Sequence, residues 1–340
     1  MPGAIAGRKV LFFLGAGASR GAGSTAPAQG GARVPSPTQS EFWDVFLRFC
    51  PTGSNRRLIQ SFLFRYFLGY IRVPARLSSV DRRRALRHVD VEEVFTFLSE
   101  RVRAPSTSPQ FRSYALRIWR ALLAEVGQVF RRFEPTYRSR AIYRSLLAHH
   151  VRARDAVVSF NWDTVFERSL PKTQRWHYEG LDHQARSLRI LKPHGSVNWQ
   201  LGDPITISDR PEVPVIVAPT HLKFVETTPA ADSSSHLGYL DQSQEIQAIW
   251  SEMETQMRQA KALVFIGYSF PVADLYFSSV LRSVLALRDR PPALVLVNPD
   301  ATSIRARLEA RFSLGAVVTY FDLETYVRST RSAVLGILGL

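Results

Sequence analysis

Cysteine is almost missing from this chain, Cys50 being the single one in 340 residues. One thiol excludes an internal disulfide and any four-cysteine zinc module. Lysine is scarce too: of 44 basic residues only Lys9, Lys172, Lys192, Lys223 and Lys261 are lysine. No apolar run reaches the roughly 18–20 residues of a membrane span, and Lys9 directly before a strand is not the order of a secretory signal. The expectation is a cytoplasmic protein with no membrane contact. Two phosphate-binding signatures are also absent. No Gly-Lys-Ser/Thr occurs, which excludes a Walker-type loop, and the glycine turn near the N-terminus has Arg20 where G-x-G-x-x-G needs its last glycine.

What is present describes an ordinary globular protein, 45% apolar and 21% charged, long enough for one large domain or two modest ones. The net charge of +15 favours polyanions, either nucleic acid or a nucleotide steered to its site. An arginine-rich coding bias with a solvated basic surface explains the same charge. No helix-turn-helix, zinc-finger or RNA-recognition motif occurs, so nucleic acid enters only through that surface or through a partner.

The chain is organised around Val10 to Leu14, five apolar residues without alternation, as in a strand covered on both faces. Gly15-Ala16-Gly17-Ala18-Ser19 follows. Glycines there permit close approach of backbone amides to a phosphate, although a tight turn needs them equally. From Gly21 to Pro37 the sequence is rich in Gly, Ala, Ser and Pro and predicts a long loop. Thr38 and Glu41 form a capping box before Phe42, Trp43, Phe46 and Leu47, predicting a helix that closes with the loop over the first turn.

Residues 55 to 150 change character. Leu58, Phe62, Tyr66 and Tyr70, then Val91, Val94, Phe95 and Leu98, then Leu116, Trp119, Leu123, Val126, Phe130 and Phe133 recur at helical spacing. They predict an all-helical insertion with its arginines outward. Strand signals return at Ala156 to Phe160, Leu188 to Leu191, Pro214 to Val217, Ala262 to Ile266 and Ala293 to Val297. Helical stretches lie at Gln244 to Ala260, Asp274 to Leu287 and Ile304 to Phe312. This alternation predicts an α/β fold with a Rossmann-like parallel sheet made by residues 1–50 and 151–340, and a helical subdomain at 51–150. Glu226 to Gln242 is unpatterned and is expected to be a mobile surface loop.

In open α/β sheets ligands bind beyond the carboxyl ends of the strands. Those positions hold Gly15 to Ser19, Asn161-Trp162-Asp163, Lys192-Pro193-His194-Gly195-Ser196, Gly267-Tyr268-Ser269-Phe270 with Asp274, and Asn298-Pro299-Asp300. Each has an ordinary explanation. Asn161 and Asp163 suit a cap for a helix near Thr164, His194 a turn, Lys192 a surface charge, and Gly267 to Ser269 a strand–helix connection. Together they converge on one crevice.

This ordered set resembles the sirtuin superfamily, and in particular its bacterial sirtuin-like branch associated with phage defence. GAGAS resembles the opening GAGxS, SFNWD the strand-end N-x-D, KPHGSVNW the His-Gly motif, GYSFPVADLY the second glycine-serine turn and VNPD the late asparagine. The resemblance covers about residues 8–50 and 151–320. It implies a Rossmann-like domain that binds NAD+ as substrate, with no metal, and breaks the nicotinamide–ribose bond. Protein-deacylating sirtuins carry a four-cysteine zinc ribbon that Cys50 cannot make, and their first-loop Gly-Ile-Pro is reduced here to Arg33-Val34-Pro35. These departures favour NAD+ hydrolysis.

By the same resemblance Asn161 holds the ribose or the attacking water, Asp163 the nicotinamide carboxamide, and His194 acts as general base. Gly15, Ala16, Gly17, Ala18 and Ser19 cradle the diphosphate. Pro35, Gly195, Gly267, Ser269, Asp274 and Asn298 complete the nucleotide-binding set. Enzymes of this branch deplete NAD+ in antiphage defence, which implies a homo-oligomer and a separate activating partner, a HerA-like ATPase or an Argonaute-like protein. A protein deacylase or ADP-ribosyltransferase, and a non-catalytic NAD or ADP-ribose module in a nucleic-acid-associated complex, are the alternative functions.

Overall fold

The computed structural model describes residues 9–70, 77–182, 187–212, 214–217, 244–271 and 274–340. The segment at 226–242 lies outside them. In chain order, β1 (Val10–Leu14) leads through α1 (Ala16–Gly21), β2 (Thr25–Pro27) and β3 (Arg33–Pro35) to α2 (Phe42–Phe49). Five helices follow: α3 (Ser54–Tyr66), α4 (Ser79–Ala85), α5 (Val91–Arg103), α6 (Pro109–Phe130) and α7 (Tyr137–His149). Then come β4 (Ala156–Ser159), α8 (Val165–Ser169), β5 (Trp176–Tyr178), β6 (Leu188–Leu191), β7 (Gly195–Gln200), β8 (Thr206–Ile207) and β9 (Pro214–Ile216). The last part comprises α9 (Gln244–Gln259), β10 (Ala262–Ile266), α10 (Leu275–Ala286), β11 (Ala293–Val297), α11 (Ala301–Glu309), β12 (Val317–Tyr320), α12 (Leu323–Arg328) and α13 (Arg331–Ile337).

Seven strands form one parallel sheet in the order β12-β11-β10-β1-β4-β6-β5, so the fold is α/β and Rossmann-like. β1 lies at its centre because all five of its side chains are apolar and find cover on both faces. It pairs with β10 on one side, Leu14 opposite Ile266, and with β4 on the other, Leu14 opposite Ser159. After β1 the chain builds β4, β5 and β6 on one side, then returns to build β10, β11 and β12 on the other. The strand order therefore reverses at β1, where sheets of this kind hold ligands.

Among the described residues, the regular elements between 51 and 150 are all helical. Asp90, Ser108 and Thr136 cap α5, α6 and α7 with their side chains, and Pro109 occupies the first turn of α6, where a missing N–H costs nothing. Most of the expected stripes are buried, with Phe62, Phe95, Leu98, Val126 and Phe133 all at 1% exposure or less, while Leu58, Tyr66, Leu116 and Phe130 are half-buried and Tyr70 ends the first stripe exposed. The apolar core runs without interruption from these helices into the sheet.

Four segments depart from expectation. The long loop after the first turn contains a hairpin, Thr25 opposite Pro35 and Ala26 opposite Val34. Its strands are only three residues long and bury little besides Ala26 and Val34, too little for a periodic signal. Pro214–Ile216 does not join the parallel sheet; it pairs antiparallel with β7 in a small sheet ordered β8-β7-β9. Its three residues are all buried, and burial alone does not distinguish parallel from antiparallel pairing. β5 and β12, short edge strands, carry no apolar run long enough to announce them.

Candidate active site

Three glycines interlock at the carboxyl ends of β1 and β10. The Gly15 amide donates to the Ile266 carbonyl at 2.9 Å, the Gly17 amide to Gly267 at 2.9 Å, and the Ala18 amide to Gly15 at 2.8 Å. A Cβ on Gly15 would stand 2.6 Å from the Gly267 oxygen, and one on Gly17 2.8 Å. On Gly267, at φ +62°, a Cβ would stand 2.1 Å from the Ala18 nitrogen. Backbone pressed against backbone is what requires glycine at all three positions. Three of the amides assigned to a diphosphate are thus engaged inside the protein, while Ala16 is exposed at the rim.

Asn161 follows β4 directly. Its Nδ2 donates to the Gly15 carbonyl at 3.0 Å and to Ser19 Oγ at 3.2 Å. A carbonyl can only accept, so the orientation of the amide is fixed, and both of its hydrogens are engaged. Ser19 Oγ in turn donates to the Asp163 carboxylate, 3.1 Å and 3.2 Å from its two oxygens. What the Asn161 side chain still offers is Oδ1, an acceptor. Asp163 Oδ1 also accepts from the amide of Val165, the first residue of α8, at 2.9 Å. Burial holds the Asp163 pKa above the usual carboxylate range, and the Lys192 ammonium offsets part of that rise.

The turn carrying His194 is tied to the Asn161 turn on both flanks. Before it, Lys192 Nζ donates to the Asp163 carbonyl at 2.6 Å and pairs with Glu167 Oε1 at 3.0 Å. After it, the Val197 amide donates to the Trp162 carbonyl at 2.9 Å and Ser196 Oγ to the same oxygen at 3.4 Å. His194 is buried, its ring 5.1 Å from that of Phe160, the residue before Asn161, and 5.9 Å from Trp250 of α9. Trp250 donates to the Pro193 carbonyl at 3.0 Å and so fixes the turn from the other side.

Lys192 corrects an expectation. It is fully buried rather than a surface charge, and Glu167 beside it also bonds the Tyr178 hydroxyl at 3.2 Å. Burial and the neighbouring Glu167 push the Tyr178 pKa well above its ordinary value, so the phenol stays a donor. Glu167, Tyr178 and Trp250 belong to no motif that the sequence alone shows. Lys192 had one signal: in a chain that uses arginine for nearly every cation, a lysine ending an apolar strand is out of place. A compact ammonium fits between a carbonyl and a carboxylate where a guanidinium fork would not.

The remaining candidates spread along the rim or support it. Asp274 is buried, caps α10 by accepting from the Phe277 amide at 3.3 Å, and accepts the Tyr268 hydroxyl at 2.6 Å. Asn298 Nδ2 lies 3.4 Å from the Tyr268 carbonyl, and its Oδ1 accepts from the Asp300 amide at 3.0 Å. Ser269 is exposed, and its carbonyl accepts from Arg307 at 2.8 Å. Gly195 turns at φ +73° with a Cβ position 2.1 Å from the Val215 oxygen, so β9 requires glycine there. Pro35 ends the hairpin, exposed. Just past it Arg20 bonds the Ser36 carbonyl at 3.3 Å and pairs with Glu41 at 3.0 Å, joining α1 to the capping box.

Asn161, Ser19 and Asp163 are joined by hydrogen bonds at the switch of the sheet, and the turn carrying His194 is bonded to the same turn through Lys192, Ser196 and Val197. Residues 155–316 match the model of the SIR2-like domain. The matched span is similar to the sirtuin-like family and supports an NAD-related function. It includes Asn161, Asp163, His194, Gly267 and Asn298, and β4 and β10 within it flank β1. No curated protein matches the chain. Among the described residues no helix is long and apolar enough to cross a membrane.

Proposed function

We propose that the protein is a sirtuin-like NAD+ glycohydrolase, cleaving NAD+ to nicotinamide and ADP-ribose. The observation that carries this reading is the orientation of Asn161: with both amide hydrogens held by Gly15 and Ser19, its Oδ1 is presented as an acceptor for a ribose hydroxyl or a water. Nicotinamide leaves a cationic pyridinium as a neutral molecule, so the site needs orientation and stabilisation of positive charge more than a strong acid. A water accepted by Asn161 Oδ1 and deprotonated by His194 supplies the nucleophile. Asp163 accepts from Ser19 Oγ and so fixes Ser19, hence Asn161. The net positive charge of the chain draws an anionic dinucleotide towards the crevice.

In this reading the enzyme is a cytoplasmic homo-oligomer that depletes NAD+ in antiphage defence once a separate partner, a HerA-like ATPase or an Argonaute-like protein, activates it. The test measures free nicotinamide from NAD+ with the protein alone and with the product of its neighbouring gene. Asn161→Ala and His194→Ala are each expected to lower turnover at least about 100-fold. Activity surviving both substitutions overturns the assignment. Acetyl-lysine turnover coupled to nicotinamide release would replace hydrolysis by deacylation, and tight NAD+ binding without turnover in any assembly would leave a binding module.

A further inference from the structure

Trp162 stands between Asn161 and Asp163 in a turn whose other side chains serve the polar site, yet its indole leaves that site and is buried at 9% exposure. It enters a socket of three phenylalanines from three different helices. Its ring lies 6.2 Å from Phe42 of α2 at 73°, 6.1 Å from Phe95 of α5 at 77°, and 5.6 Å from Phe130 of α6 at 87°. Edge contact on three sides leaves the ring little freedom to slide or turn. The socket is itself braced: Phe42 stacks on Phe130 at 5.9 Å and Phe95 meets Trp119 at 5.5 Å. No acceptor among the described residues meets the buried Nε1–H, so ring packing and not a hydrogen bond sets the position of the indole.

The main chain of the same residue faces the chemistry. Its carbonyl receives the Val197 amide and Ser196 Oγ, which follow His194, while the adjoining Asp163 carbonyl receives Lys192, which precedes it. One residue thus joins the helical layer to both candidate catalytic turns.

We infer that Trp162 is a positioning residue for the reaction and that the helices forming its socket, α2, α5 and α6, are part of the catalytic apparatus. The inference rests on the hydrolase reading of the site. Displacing the indole moves the peptide units on both sides of it, and Asn161 holds its bonds to Gly15 and Ser19 only while that turn stays in place. A displacement of about 1 Å is enough to cost on the order of 100-fold in rate. The same linkage gives any partner that docks on the helices a mechanical route to Asn161 and His194.

Four variants test this in the full chain, with folding followed by circular dichroism and melting. Trp162→Ala is expected to lower kcat by about 30-fold or more with KM within about threefold, and Trp162→Phe to restore most of it. Phe130→Ala, outside the strand-end turns, is expected to lower kcat about tenfold. Phe64→Ala is the control. Phe64 is fully buried in the helical layer, and its ring contact is Tyr70 at 5.6 Å, so the substitution should lower the melting temperature and leave kcat alone. Wild-type kcat in folded Trp162→Ala and Phe130→Ala overturns the inference; if Trp162→Ala does not fold, Phe130→Ala and Trp162→Phe carry the test.

Absence of nicotinamide release by the wild type in every assembly is a failure of the hydrolase reading instead. Hydrogen exchange then decides the inference. Phe130→Ala must speed exchange of the Val165 and Val197 amides more than Phe64→Ala does, and equal exchange in the two overturns it.

Discussion

The two ends of the sheet each bury a carboxylate next to a cation, and they treat it in opposite ways. At the amino end Asp155 is surrounded by donors. Arg331 of α13 reaches both of its oxygens, at 2.5 Å and 3.3 Å, and the Val10 and Arg152 amides add bonds of 2.8 Å each. At the carboxyl end the Lys192 ammonium turns to the main-chain oxygen of Asp163 and to Glu167, leaving the Asp163 carboxylate to a hydroxyl and one amide. Its pKa is accordingly raised. The well-compensated end anchors β1, β4 and the C-terminal helix. The under-compensated end holds a carboxylate that burial biases towards its neutral, protonated form.

Breaking the anchor should have the largest effect on stability. Arg331→Met leaves Asp155 buried without its partner and is expected to cost about 3–5 kcal/mol in denaturant unfolding, with turnover per folded molecule unchanged. Lys192→Met comes next. It strands Glu167 and frees the Asp163 carbonyl, so it should cost about 3 kcal/mol and also lower activity; adding Glu167→Gln should return stability but not activity. Equal effects of Arg331→Met and Lys192→Met on turnover would erase the contrast between the ends.

The pH dependence sharpens it further. Burial lowers the His150 pKa from 6.5 to about 4, with the nearby Arg331 acting in the same direction. The unfolded chain binds that proton first, so the contribution of a neutral His150 is complete above about pH 6.5 and lost as pH falls towards 4. His150→Gln should flatten this slope by on the order of 2 kcal/mol, measured as unfolding free energy between pH 4 and 7. Asp163 has the opposite sign. Its raised pKa means the folded chain holds a proton that the unfolded chain has released, so stability falls as pH rises above 3.8 through its folded pKa. Asp163→Asn should remove that decline, read as a flatter dependence of unfolding free energy on pH above 3.8.

Much of the carboxyl end was legible because its signals are local. The run before Gly15, the glycines themselves and the residues closing β4, β6, β10 and β11 each show in a few neighbouring residues. The amino-end anchor was not legible at all. Asp155 and Arg331 lie at distant points of the chain, and nothing near either announces the other. The burial of Lys192 was hidden for the same reason, since it depends on Glu167 and on the fold of the Asn161 turn. Asp163 shows a different limit: the donors that its carboxylate meets, Ser19 Oγ and the Val165 amide, lie outside the Asn161-Trp162-Asp163 triplet.

The interlocked glycines make one side of the carboxyl end rigid. With Gly15, Gly17 and Gly267 in backbone contact, the β1 and β10 turns form a stiff jaw that cannot part without breaking both of their cross-links. The hairpin and α2 are fastened to α1 through Arg20 at Ser36 and Glu41. That fastening is a half-exposed ion pair, the kind of clasp that dissolved salt loosens.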